Sequence, residues 1–364
     1  MSIYPASRDA RDRFILDRRP ARLPHDAWPS HGVHVEDERL ADGAIVSSAT
    51  IFLTGRECPW RCVMCDLWRD TTTSDTPAGA IAAQVASAMQ SLRASDRPVR
   101  QVKLYNAGSF FDPHAVPDSD HVPVARALAH ITHVVVESHP ALVGDQTRRF
   151  RDLLREHTTG HEPPVLEVAM GLETAHPDAL DRLNKRMTVA TFTRAAEELA
   201  RLGAALRVFL LISPPFVPLD EHDTWLLRSI DVALDCGASA VSLIPTRTGN
   251  GAMDALAAAG EFASPSLADV ERSLSIAIDR VRGGVRGVRS WDARSPGDLA
   301  SQDLTPRTPS TPRVFADVWD LERFAECAHC LDARRARLRA INLTQHDAAP
   351  VECAHCGGGN RSRA

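Results

Sequence analysis

The sequence predicts an α/β protein, a partial (β/α)6 TIM-like barrel followed by a small four-cysteine module. Three observations predict it. Six apolar, β-rich runs alternate with helix-period stretches. Chemically unusual residues fall where those runs end, at the carboxyl edge a parallel sheet would share. Seven of the eight cysteines lie in close-spaced groups, at 58/62/65, 327/330 and 353/356.

The strand-like runs are 44–54, 99–105, 132–137, 165–172, 205–212 and 239–244, each close to continuously apolar, as expected for strands covered on both faces. Helical periodicity appears near 77–94, 121–130, 145–156, 191–202, 221–235 and 267–282. Right-handed crossovers would curl six such units into a barrel or part of one, and periodicity alone leaves a flat doubly wound sheet open. Residues 1–43 form an N-terminal extension, basic over its first thirty residues, and 44–293 the core. Residues 294–313, rich in Pro, Ser and Thr, form a linker, and 314–364 a metal-binding module.

Composition bounds the function. The chain has 364 residues, 44% hydrophobic and 24% charged, with a formal charge of -5. No apolar run is long enough to span a bilayer, and the N-terminus lacks a signal-peptide core, so a cytoplasmic protein without membrane association is expected. A net negative surface gives no general grip on nucleic acid. Of 42 basic residues only Lys103 and Lys185 are lysines. Lone Cys236, near a helix end, is expected to behave as a small buried hydrophobe.

The stretch ECPWRCVMCDLW carries Cys58, Cys62 and Cys65 in a C-x3-C-x2-C spacing. A disulfide needs two cysteines and a closed zinc site four. A [4Fe–4S] cube has four iron corners, so three thiolates from one loop would leave one iron open to a ligand. A zinc site completed by a distant residue is the competing reading.

This spacing, directly after the first strand of a β/α series, resembles the radical S-adenosylmethionine superfamily, and the resemblance extends from about residue 44 to about 260. It implies that the open iron chelates S-adenosylmethionine and that a reduced cluster cleaves it to a 5′-deoxyadenosyl radical that abstracts hydrogen from substrate. It also implies an electron donor such as flavodoxin or ferredoxin. Asn106, Ala107, Gly108 and Ser109 resemble the small-residue motif whose backbone meets the methionine end of the cofactor. Glu137 and Glu173 resemble acidic positions of the branch that holds the elongator catalytic subunit and the tRNA methylthiotransferases, with Lys185 or Arg186 placed to reach the cofactor carboxylate. The series KLYNAGSFFDP, ESHPALV, GLETAHPDALDRLNKRMT and FLLISPPFVP is similar to the radical proteins of archaeosine biosynthesis and their bacterial relatives. That likeness implies a tRNA nucleoside as substrate and a partner enzyme. The chain departs from the pattern at His139, at Ser213 and at Met64. A small molecule or peptide substrate is the alternative, and a non-catalytic zinc adaptor the alternative of another class. Tyr105, His114, His139 and His176 lie at the same expected edge with no evidence beyond position.

The last cysteines, Cys327, Cys330, Cys353 and Cys356, form two CAHC knuckles. Paired knuckles suit a four-thiolate zinc site or an auxiliary [4Fe–4S] cluster, zinc being favoured, and the helix-like spacer is expected to bridge them. His329 and His355 are alternative ligands. Arg334, Arg335, Arg337 and Arg339 form a basic strip suited to tRNA phosphates or to a solvated helix face.

Overall fold

The computed structural model describes residues 2–106, 108–160, 162–283 and 311–357; Ala107 and almost all of the expected linker lie outside them. One sheet of eight strands runs in sequence order: β1 (Gly32–Arg39), β2 (Ile45–Leu53), β3 (Gln101–Asn106), β4 (His133–Glu137), β5 (Val165–Glu173), β6 (Ala205–Ile212), β7 (Ala238–Pro245) and β8 (Arg313–Ala316). It curls into a half-barrel. The six expected strands are β2 to β7, all parallel to their neighbours. Their apolar runs are long because both faces are covered; β5, for example, is buried at every position after Val165.

The helices are α1 (Arg8–Leu16), α2 (Ala80–Arg93), α3 (His121–Ala127), α4 (Asp145–His157), α5 (Pro177–Arg182), α6 (Val189–Arg201), α7 (His222–Asp235), α8 (Ala252–Ala258), α9 (Leu267–Gly283) and α10 (Leu331–Thr344). Helix α6 shows why they form where they do. Thr188 caps it by accepting the Thr191 N–H at 3.2 Å. Phe192, Ala195, Ala196 and Leu199 then give one buried stripe, and the chain leaves through Gly203 at φ 66°.

The terminal segments do not stand apart from the core. Strand β1, inside the N-terminal extension, pairs antiparallel with β2, and β8, at the start of the expected metal module, pairs parallel with β7. Helix α10 packs on both edge strands. Its Asn342 donates to and accepts from Ala316, at 2.9 Å each, and Gln345 does the same with Val314, at 2.8 and 2.7 Å. These side chains stand in for a missing ninth strand, so the free edge of β8 is satisfied. At the foot of the seam, Arg313 donates to the Arg39 carbonyl at 3.0 Å.

Candidate active site: three cysteines at the rim of a charged cavity

The carboxyl edge of the sheet opens into a cavity of about 620 Å³ lined by Cys58, Cys62, Cys65, Asn106, Gly108, Ser109, Glu137, Glu173 and Lys185. All described members of the expected cofactor set therefore meet at one place. The cysteine loop is fixed from several sides. Val63 donates to the Leu183 carbonyl at 3.0 Å, Asn184 reaches Arg61 O at 2.7 Å, and Asn250 donates to Val63 O at 2.7 Å and Cys65 O at 3.1 Å. Just before the loop, Glu57 is held by Arg19, Arg22 and Arg61, which keep its carboxyl below the usual range although burial opposes them.

Burial raises all three thiols, Cys65 to about 12. Three adjacent thiolates out of water repel one another and lack solvation, so they need a bound cation to ionise. Among the described residues, only the C-terminal quartet brings three or more ligand atoms within 4.8 Å of one another. The front trio is spread more widely than that.

Across from the loop, the Asn106 side chain is buried with neither amide atom partnered among the described residues, an unusual state for a polar group. Gly108 is closely packed: a Cβ there would meet Ala115 at 3.0 Å and the Arg56 carbonyl at 3.1 Å. Ser109 is engaged elsewhere, 3.0 Å from the Ser138 hydroxyl. Glu137 is part-buried with one donor among the described residues, the Asn106 N–H at 3.2 Å, and desolvation pushes its carboxyl up to about 8. Strand β5 is bulged between Gly171 and Glu173, and Glu173 sits at φ 67°. The bulge turns Glu173 into the cavity, where it pairs with Lys185. Gly171 is required by this arrangement, since a Cβ would collide with the Glu173 carboxylate and the Lys185 ammonium. Burial opposes the charge on Lys185, but Glu173 and the Cys62 and Cys58 sulfurs hold its pKa above the ordinary value. Arg186 points away and pairs with Asp12 at 2.8 Å.

His139 stacks on Trp60 of the cysteine loop, with ring centroids 3.7 Å apart. Its Nδ1 accepts from Ala141 N at 3.1 Å, so Nε2 carries the proton donated to the Lys185 carbonyl at 3.0 Å. Burial and Lys185 lower its pKa to about 4, and the ring is neutral. Tyr105 lines the cavity, edge-to-face with Phe209. His114 is exposed beside Asp75, and His176 caps α5, both away from the cavity lining.

Sequence reasoning missed the floor and the far wall. Glu38 is buried and pairs with Lys103 and, at 2.5 Å, with Arg207, which also bonds Glu167. Both lysines of the chain thus line one cavity; their rarity was the available signal. Arg247, Asp317 and Trp319 form the far wall and carried no signal, being distant in sequence.

In the C-terminal segment, Cys327 and Cys353 sulfurs are 4.0 Å apart and those of Cys330 and Cys356 3.8 Å apart. Helix α10 bridges the knuckles, and His329 and His355 stack on each other at 3.8 Å. Backbone N–H groups of Cys356 and His355 draw the Cys353 thiol down to about 7. The basic strip is largely spent inside the fold. Arg334 is buried against Glu271, Arg337 pairs with Glu271 and Asp347, and Arg335 pairs with Glu322 and Asp332; only Arg339 is exposed without a described ion pair. Cys236 is half-buried at the end of α7, its thiol donating to Thr193.

No family model matches the chain. It is 26% identical over 242 residues to archaeosine synthase subunit beta of Methanosarcina acetivorans, covering 64% of this chain and 65% of that one. It is 31% identical over 148 residues to the protein of the same name from Thermococcus kodakarensis, covering 40% and 43%. It spans less than two thirds of the length of these relatives. Among solved structures, the radical S-adenosylmethionine methyltransferase TsrM from Kitasatospora setae aligns at TM-score 0.40 and 15% identity, over 57% of this chain and 37% of that one. Among the described residues no helix is long and apolar enough to cross a membrane.

Proposed function

We propose that this chain is a cytoplasmic radical S-adenosylmethionine enzyme acting on a nucleoside in tRNA together with a partner subunit. The observation that carries the reading is the meeting of Cys58, Cys62 and Cys65 with Asn106, Glu137, Glu173 and Lys185 around one cavity. When bound, a [4Fe–4S] cluster and S-adenosylmethionine would supply reductive cleavage to a 5′-deoxyadenosyl radical for hydrogen abstraction.

The chain's own groups suit that load. Three thiols on one loop suit three irons. The unpartnered Asn106 amide and the single-donor Glu137 carboxyl offer bonds that no described residue takes. Lys185 offers an ammonium to a carboxylate, and Glu173 a carboxylate to an amine or hydroxyl. The tRNA and partner assignments are supported by the likeness to the two archaeosine synthase beta subunits.

For the second site we assign a structural zinc ion. A tetrahedral ion with bonds of about 2.3 Å separates its thiolates by about 3.8 Å. The pairs at 3.8 and 4.0 Å match that edge. An iron–sulfur cube puts each thiolate on a separate metal and spreads them to roughly 6 Å.

The test is anaerobic. Reconstituted and reduced protein given S-adenosylmethionine is expected to form 5′-deoxyadenosine, and to bind bulk tRNA with an affinity that falls as salt rises. Zinc without iron and no 5′-deoxyadenosine would favour a zinc adaptor; absence of tRNA binding at low salt would remove the RNA substrate.

A further inference from the structure

The cavity has two sides. The cofactor reading uses Asn106, Glu137, Glu173 and Lys185 on β3, β4, β5 and the turn after α5. It leaves the side formed by β6, β7 and β8 without a role. That side carries Phe209, Phe315 and Trp319, faced by Phe52 of β2 and Tyr105 of β3, in a chain with only 5% aromatic residues.

One carboxylate stands among these rings. Asp317 follows β8, its side chain 11% exposed, and accepts two hydrogen bonds from the described residues: Oδ2 from Arg247 at 2.7 Å and Oδ1 from the Trp319 N–H at 2.9 Å. A carboxylate has room for about four. Burial raises its pKa even against Arg247, which agrees with an incompletely satisfied acid. Trp319 is wedged edge-to-face between Phe52, at 5.3 Å, and His34, at 5.6 Å, so its indole is fixed in place. The connection bearing Arg247 also touches the cysteine loop, through Asn250 on Val63 and Cys65 and through Arg69 on Gly249. A group held by Asp317 is therefore in the same enclosure as the third cysteine.

We infer that Asp317 and Trp319 select the substrate: the carboxylate accepts N–H donors from the edge of a planar nitrogen heterocycle, and the heterocycle stacks on the indole. Arg247 is the positioning residue that aims the carboxylate. This rests on the reading above, in which the cysteine side takes the cofactor and the substrate is a nucleoside in tRNA. The opposing explanation is that the Arg247–Asp317 pair only ties β8 to the loop after β7.

The experiment uses the full chain and bulk tRNA from cells lacking its gene. Asp317→Asn keeps the side-chain volume and removes the charge; Asp317→Glu keeps the charge. The asparagine variant is expected to retain wild-type iron content and to melt within about 3 °C of wild type. It is expected to raise KM for tRNA in stimulated 5′-deoxyadenosine formation at least tenfold, about 1.4 kcal/mol. Its cluster-free form should bind the same tRNA at least threefold more weakly in filter binding, and the glutamate variant should recover most of both. Wild-type KM or wild-type affinity in Asp317→Asn overturns the inference. So does loss of iron or of melting temperature that glutamate does not rescue, which would show a structural tie. Wild-type protein that makes no 5′-deoxyadenosine, or makes it without response to tRNA, overturns the underlying reading and this inference with it.

Discussion

The two cysteine sites use the same side chain to opposite ends. At the front, three thiols are spread along a loop at the rim of a cavity, and every one is raised by burial. At the back, four sulfurs lie within 4.8 Å of one another, enough by themselves to fill the four positions of a tetrahedral ion. The front set is incomplete in number and faces unpartnered groups; the back set is complete and faces its own two stacked histidines. An incomplete, wide set invites a larger cofactor with a vacant corner, whereas a complete, narrow one encloses a single ion and leaves no position for chemistry.

Substitutions can break this contrast. The largest effect is expected from Cys62→Ala, which should lower iron to below about one per chain and abolish 5′-deoxyadenosine, while zinc stays near one per chain; metal analysis beside product quantitation checks it. Cys356→Ser should do the reverse, removing zinc with the front iron retained. It should also lower Tm by about 5–10 °C, since α10 then loses its anchor at one end. A calorimetric scan with metal analysis decides this.

Gly171→Ala sharpens the front side alone. The added methyl meets only the flexible ends of Glu173 and Lys185, so the fold should survive with Tm nearly unchanged. The pair must move, and S-adenosylmethionine affinity is expected to fall about tenfold by equilibrium dialysis.

Glu137 gives a pH signature. Its folded value is about 8 against an ordinary 4.5. The unfolded chain releases this proton first, so stability of the cluster-free protein should decline as pH rises from 4.5 toward 8, then level off. Glu137→Gln should flatten that segment of a denaturant-midpoint profile. The smallest effect is expected from His139→Ala, which removes the stack on Trp60 and about 1 kcal/mol, seen as faster cluster loss to a chelator.

Much of this was legible in the sequence. Strands β2 to β7 announce themselves because burial on both faces demands unbroken apolar runs. Strand β1, GVHVEDER, does not, because an edge strand facing a charged cavity puts Glu36 and Glu38 where apolar residues are usually expected. Strand β8 has four residues, too few for a periodic signal. Of the site, residues at the ends of long strands were readable from position. Arg247 and Asp317 were not, because they become neighbours only when β8 pairs with β7 across a long stretch of chain. The arginine strip misled in part, since Arg334 and Arg337 meet Glu271 of α9, a partner no local pattern reveals.

The most direct test of the central contrast is metal stoichiometry with electron paramagnetic resonance of the reduced protein, before and after S-adenosylmethionine. The account predicts about four irons and one zinc per chain, with a [4Fe–4S] signal that shifts on adding S-adenosylmethionine. Absence of front iron, a signal indifferent to S-adenosylmethionine, or a second cluster in place of zinc would contradict it.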